Sequence, residues 1–134
     1  MRQLEKILLI DDSEADNYLH KLTIESAGIA QSVVIVYDGR EALDYLNSKP
    51  DGDYPCPELV FLDINMPGMD GWEFLEEYEK MDPEKKAGIL ICMLTTSVAN
   101  KDLQKVKNFV EVSAYITKPL TEEKLMEMYH RIQA

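Results

Sequence analysis

Five short apolar runs, each followed by a stretch of helical periodicity, restrict most strongly how this chain can fold. The runs are Ile7–Ile10, Val33–Val36, Leu59–Leu62, Ile89–Leu94 and Ala114–Ile116. The first four are continuously apolar rather than alternating, the pattern of strands covered on both faces of a parallel sheet. Helices are predicted near Ser13–Ala27, Gly39–Ser48, Asp70–Lys80, Asn100–Phe109 and Thr121–Ile132. Leu125, Met128, Tyr129 and Ile132 carry the i, i+3, i+4, i+7 spacing of one buried face, and Leu103, Val106, Phe109 and Val110 form a similar stripe. Ser13 with Asp16, Asp70 with Glu73, and Thr121 with Glu122 and Glu123 place capping oxygens and early acidic charge at helix N-termini. Gly28 is a suitable stop for the first helix.

A βα unit repeated five times uses the whole chain, so one domain spanning 1–134 is expected, with nothing left over for an output domain. Right-handed crossovers turn such a repeat into an α/β, flavodoxin-like (βα)5 doubly wound parallel sheet of strand order 2-1-3-4-5. The segment 49–57 reads as a long surface loop. The 46% hydrophobic share suits a single core at this length.

The net charge of -11, from 25 acidic and 14 basic residues, argues against broad binding to nucleic acid or anionic membrane, because phosphates attract basic surfaces. The apolar run near the N-terminus is far too short to span a bilayer, and acidic residues follow it directly where a signal peptide would have its cleavage pattern. Cys56 and Cys92 make neither a disulfide framework nor a zinc pattern. Cys92, inside an apolar run, reads as a small buried hydrophobe. A cytoplasmic location is expected.

Polar residues collect at the carboxyl ends of the predicted strands. Asp11 and Asp12 follow the first, Asp63 the third, Thr95 the fourth and Lys118 the fifth. In the order 2-1-3-4-5 the first and third strands are neighbours, roughly 4.8 Å apart, and their ends form the crevice where such sheets bind ligands. Three carboxylates there need a cation between them, and an all-oxygen set favours a hard ion such as Mg²⁺ (or Mn²⁺). A carboxylate such as Asp63 is an adequate nucleophile toward phosphorus, and Thr95 and Lys118 supply a hydroxyl and an ammonium for phosphoryl oxygens. Taken singly, the acidic pair could be capping, Asp63 a turn residue, Thr95 a cap and Lys118 a solvated charge. Their joint placement on four strand ends is the signal.

The stretches LLIDDSEADN (8–17), VFLDINMPGMDGWEFL (60–75), CMLTTS (92–97) and AYITKPL (114–120) resemble the response-regulator receiver family, including CheY-like single-domain members. The resemblance spans essentially the whole chain. It implies that Asp63 is the phosphoacceptor, that Asp12 binds the metal directly with Asp11 binding through water or orienting the ion, and that the Asn65 backbone carbonyl completes the protein ligands. Thr95 then corresponds to the switch hydroxyl, Lys118 to the phosphate-pairing lysine preceding a cis proline, and Tyr115 to the aromatic rotamer switch. Asn65 and Ser97 flank the place where water would attack the acyl phosphate, and are expected to tune its lifetime. The stretch Val110–Ala114 departs from the small, glycine-containing turn common in the family. The long 49–57 loop is similar to that of regulators paired with phytochrome-like histidine kinases.

The expected partners are a histidine kinase or phosphotransfer protein as donor and a downstream protein target, with neither nucleic acid nor membrane. Mixed charge from Lys101, Lys105 and Lys107 beside Glu111, Glu122 and Glu123 permits a monomer or a phosphorylation-linked dimer. Two other classes compete. A haloacid-dehalogenase-like phosphatase needs a second acid where this chain has Asn65, so a dedicated enzyme is not expected. A phosphorylation-independent module typically loses an acidic ligand or the lysine, and Asp11, Asp12, Asp63, Thr95 and Lys118 are all present.

Overall fold

The computed structural model describes residues 2–133; Met1 and Ala134, the ends of the expected unit, lie outside the described residues. In chain order the elements are β1 (Leu4–Ile10), α1 (Glu14–Ala27), β2 (Ala30–Val36), α2 (Gly39–Leu46), β3 (Leu59–Leu62), α3 (Gly71–Glu79), β4 (Leu90–Thr95), α4 (Asn100–Lys105), β5 (Val112–Thr117) and α5 (Glu122–Gln133). Short 3₁₀ turns add Pro83–Lys85 and Val106–Asn108. The five strands are all parallel and lie in the order β2-β1-β3-β4-β5, the expected flavodoxin-like arrangement. None of the described helices is long and apolar enough to cross a membrane.

Alternation along each central strand feeds two cores. Leu8, Ile10, Val60, Leu62 and Met93 turn toward Leu43 and Leu46 of α2 and Phe74 and Tyr78 of α3. Ile7, Leu9, Phe61, Cys92 and Leu94 turn the other way, onto Ile24 of α1 and Leu125, Met128 and Tyr129 of α5. Each fully buried aliphatic or aromatic side chain contributes about 1.5–3 kcal/mol by leaving water. Both faces of β1, β3 and β4 are therefore apolar, whereas Val33, Val34 and Ile35 are only partly buried because β2 is an edge strand. Cys92 is buried as expected, and burial pushes its thiol up to about 12.

The caps follow the sequence signals. Ser13 Oγ accepts from the Asp16 amide, Asp70 and Glu73 form a reciprocal capping box, and Thr121 Oγ1 accepts from the Lys124 amide. Gly28 closes α1 at φ 67°, a left-handed backbone that costs glycine nothing. Asp38 caps α2 through the Glu41 amide, a signal not read from the sequence.

Helix α4 differs from expectation. It ends at Lys105, short of the Phe109 predicted, and lacks a side-chain cap at Ala99. The 3₁₀ turn that follows makes positions i and i+3 eclipse, so Val106 and Phe109 share the inward side. Phe109 stacks on Trp72 with ring centroids 5.7 Å apart. The other two stripe members are on the outside: Leu103 is exposed and Val110 is 91% exposed. Downstream, Ile91 pairs with Val112 but Cys92 pairs with Ala114, so Ser113 is an extra residue bulged from β5. In the 49–57 loop the Tyr54 ring lies 4.6 Å from the Lys49 ammonium and 5.5 Å from that of Lys85.

Candidate functional site

Parallel pairing brings the carboxyl ends of β1, β3, β4 and β5 to one edge of the sheet. Asp63 follows β3, and its amide donates to the Ile10 carbonyl at 3.0 Å, continuing the β1–β3 ladder by one residue. The Lys118 amide donates in the same way to the Thr95 carbonyl at 2.8 Å, tying β5 to β4. The Lys118–Pro119 bond is cis, as the resemblance implies.

The carboxylates are held by short-range backbone contacts. Asp11 Oδ1 accepts from the Ser13 amide at 2.9 Å, and the Asp11 carbonyl accepts from Asn17 Nδ2 at 2.8 Å. Asp63 Oδ1 accepts from the Ile64 amide at 2.9 Å. Asp11, Asp12 and Asp63 each present an oxygen within 4.8 Å of the others; Asp11 and Asp63 are buried and Asp12 is exposed. Helix α3 starts hard against the end of β3. Gly71 lies so near the end of β3 that a Cβ there would stand 2.5 Å from the Asp63 carbonyl oxygen.

Lys118 closes the cluster from the β5 side. Its Nζ donates to Asp11 Oδ2 at 2.6 Å and to Asp16 Oδ2 at 2.7 Å, and stands 3.6 Å from Asp63 Oδ2. Burial alone would lower the lysine's proton affinity, but hydrogen bonds to Asp11 and Asp16 and the Asp63 charge outweigh it and hold the ammonium protonated well above the ordinary lysine range. Asp63 moves up from its usual value, first through burial and then through the neighbouring Asp11 charge; Lys118, the Ile64 amide and the Thr95 hydroxyl offset part of this. His20, buried behind the cluster, is lowered by burial and by the Lys118 charge.

Thr95 is fully buried while Thr96 is exposed, so Thr95 is the hydroxyl of β4 that belongs to the cluster. Asn65 is exposed and lines a groove of about 270 Å³ with Trp72, Lys101, Asp102 and Lys105. Ser97 lies between the site and α4. Its amide donates to Thr95 Oγ1 at 3.3 Å, its hydroxyl to Asp102 Oδ2 at 2.6 Å, and its carbonyl accepts from the Tyr115 hydroxyl at 2.9 Å. Asp11, Asp12, Asp63, Thr95 and Lys118 thus meet at one crevice, with Asn65 and Ser97 beside it and Tyr115 tied to it through Ser97. Two contributors were not read as site residues: Asp16, legible only as early helix charge, and Asp102, which carries no motif signal. Asn17 Oδ1 is a buried oxygen without a hydrogen-bond partner among the described residues.

The family model for the response regulator receiver domain matches residues 7–130. The chain belongs to the response regulator receiver family. Among curated receivers, it is 34% identical over 131 residues to the response regulator Rcp1 of Synechocystis, covering 96% of this chain and 86% of that protein. A crystal structure of a two-component response regulator from Cytophaga hutchinsonii superposes with a TM-score of 0.88 at 29% identity, covering 98% of both chains. The bacteriophytochrome response regulator AtBRR gives a TM-score of 0.79 at 32% identity, covering 98% of this receiver and 94% of that chain. Family membership agrees with a domain of two-component signalling rather than a dedicated enzyme.

Proposed function

We propose that this receiver accepts a phosphoryl group on Asp63 from a histidine kinase or phosphotransfer protein, which alters the face formed by α4 and β5 to control partner binding, or that it relays the phosphoryl group onward. The observation that carries the reading is the convergence of three carboxylates and one buried ammonium, contributed by β1, β3 and β5, on a single crevice. The donor set, all oxygen and within 4.8 Å, fits a hard divalent ion. Asp11, Asp12, Asp63 and the Asn65 backbone carbonyl would hold Mg²⁺ (or Mn²⁺), which when bound supplies neutralisation of phosphoryl oxygens during in-line transfer.

The chain's own groups do the rest. An Asp63 carboxylate oxygen attacks phosphorus while the donor's phosphorus–nitrogen bond breaks, its electron pair staying on nitrogen. Lys118 and the Thr95 hydroxyl bind the oxygens on which charge develops. Thr95, drawn toward the phosphoryl group, vacates space beside β5, and Tyr115 re-packs into it, shifting the population of α4–β5 conformations. Asn65 and Ser97 bound the approach of water to the acyl phosphate and set its lifetime.

The receiver is proposed to work in a reducing compartment such as the cytoplasm; the free thiols of Cys56 and Cys92 accord with that. The likeness to AtBRR supports a phytochrome-like kinase as donor, and the acidic balance supports a protein target over nucleic acid or membrane. Oligomeric state is proposed as a monomer that dimerises, if at all, on phosphorylation.

Intact mass after incubation with acetyl phosphate tests the reading, with Mg²⁺ or EDTA, on wild type and Asp63→Asn. The expected result is a gain of one phosphoryl group that requires both the metal and Asp63. No gain from acetyl phosphate or from a panel of phosphorylated histidine kinases would leave a module that signals through contacts alone.

A further inference from the structure

The Lys118 ammonium has three protons to donate. Two are taken, by Asp11 and Asp16, and the third carboxylate, Asp63, lies 3.6 Å away, outside hydrogen-bond range. The two carboxylates that hold the lysine differ in kind. Asp11 is buried and fixed by the Ser13 amide, with its own carbonyl tied to Asn17. Asp16 stands in the first turn of α1, its side chain is 36% exposed, and it is not one of the three clustered metal-facing carboxylates. Released from Lys118, Asp16 returns to water, whereas Asp11, its side chain 7% exposed, does not.

From this asymmetry we propose that Asp16 is a positioning residue for phosphoryl transfer: it holds the Lys118 ammonium toward α1 in the unphosphorylated protein and competes with the phosphoryl group for it. The inference rests on the reading that Asp63 is phosphorylated. A phosphoryl group on Asp63 brings new anionic oxygens to the side from which the lysine is now withdrawn. Turning Nζ from α1 toward those oxygens, to place its third proton on one of them, draws it away from Asp16, the more exposed of its two partners. Asp16 therefore acts through Lys118, keeping the acceptor short of one of its charge-stabilising donors until the transfer is under way.

The test is the rate of acetyl phosphate labelling at saturating Mg²⁺, split into apparent donor affinity and limiting rate. Wild type is compared with Asp16→Asn, Asp16→Glu and Glu14→Gln. The last removes the same charge from an exposed position in the same helical turn, a residue that is not among the ion-pair partners of Lys118. Asp16→Asn is expected to raise the limiting rate roughly three- to tenfold, the fold-change matching the loss of one partly exposed ion pair. Asp16→Glu should restore the wild-type rate, and Glu14→Gln should leave the limiting rate unchanged. Far-ultraviolet circular dichroism checks that each variant is folded.

An unchanged or lower limiting rate in Asp16→Asn would overturn the inference while leaving the phosphorylation reading intact. So would an increase matched by Glu14→Gln or confined to donor affinity, since either marks general charge rather than positioning. A wild type that binds Mg²⁺ but is labelled by no donor would overturn both.

Discussion

The Tyr115 hydroxyl donates a 2.9 Å hydrogen bond to the carbonyl of Ser97, a residue whose amide reaches back to Thr95 and whose own hydroxyl reaches Asp102. A single residue, two positions past β4, thus joins the buried hydroxyl of the site, the start of α4 and the ring on β5. A displacement of Thr95 cannot leave the other two unaffected, because both bonds end on the same short segment.

That shared node predicts coupling. Tyr115→Phe removes one bond and is expected to cost about 1 kcal/mol, read from urea midpoints. Asp102→Asn weakens the charge-assisted bond to Ser97 by a similar amount. In the double variant the losses should depart from additivity by at least about 0.5 kcal/mol. Simple additivity would mean that Ser97 transmits nothing between β5 and α4.

Gly71 carries a steric prediction. A Cβ at this position would lie 2.5 Å from the Asp63 carbonyl oxygen and 2.9 Å from the Ile64 Cα, both parts of the main chain that cannot rotate away. Gly71→Ala must push α3 off the end of β3, at a cost of about 1–3 kcal/mol. A lowered urea midpoint is expected, together with weaker Mg²⁺ binding, because Asp63 and the Asn65 carbonyl sit on the displaced segment. A variant as stable as wild type would show that the β3–α3 connection yields easily.

Asp63 predicts a pH dependence. Burial and then the Asp11 charge raise its folded value, so the native state keeps a proton that the unfolded chain loses near about pH 3.9. Above that pH the unfolded state binds fewer protons than the native one, and stability falls as pH rises through the folded value. Asp63→Asn lacks this penalty. In EDTA, the stability of the variant relative to wild type should therefore increase between pH 4 and 7, and Mg²⁺ at neutral pH should narrow the difference. A difference that is flat, or that shrinks with pH, would contradict a strained carboxylate. Urea titrations across this range provide the check.

The elements that sequence reading located best are those set by local chemistry. Each central strand announces itself because both its faces must be apolar, and α1, α3 and α5 are bounded by caps whose partners lie within four residues. The placement of Asp11, Asp12, Asp63, Thr95 and Lys118 at strand ends was legible for the same reason: a parallel sheet sends every carboxyl terminus to one edge. The end of α4 was not. Its 3₁₀ turn depends on how Phe109 finds Trp72, thirty-seven positions earlier, and helical periodicity cannot see such a contact.

By itself, then, the sequence determined the order of elements, the edge on which the chemistry gathers and the residue types gathered there, because periodicity, capping and composition act over a few neighbouring residues. Only the tertiary structure decided how those groups share one another. Lys118 meets Asp11 across 107 residues and Asp16 across 102, and stands short of Asp63. Which carboxylate an ammonium prefers is a matter of tenths of an ångström and of how much water each carboxylate retains, and both are fixed by the packing of α1 and β5 about the same strand ends.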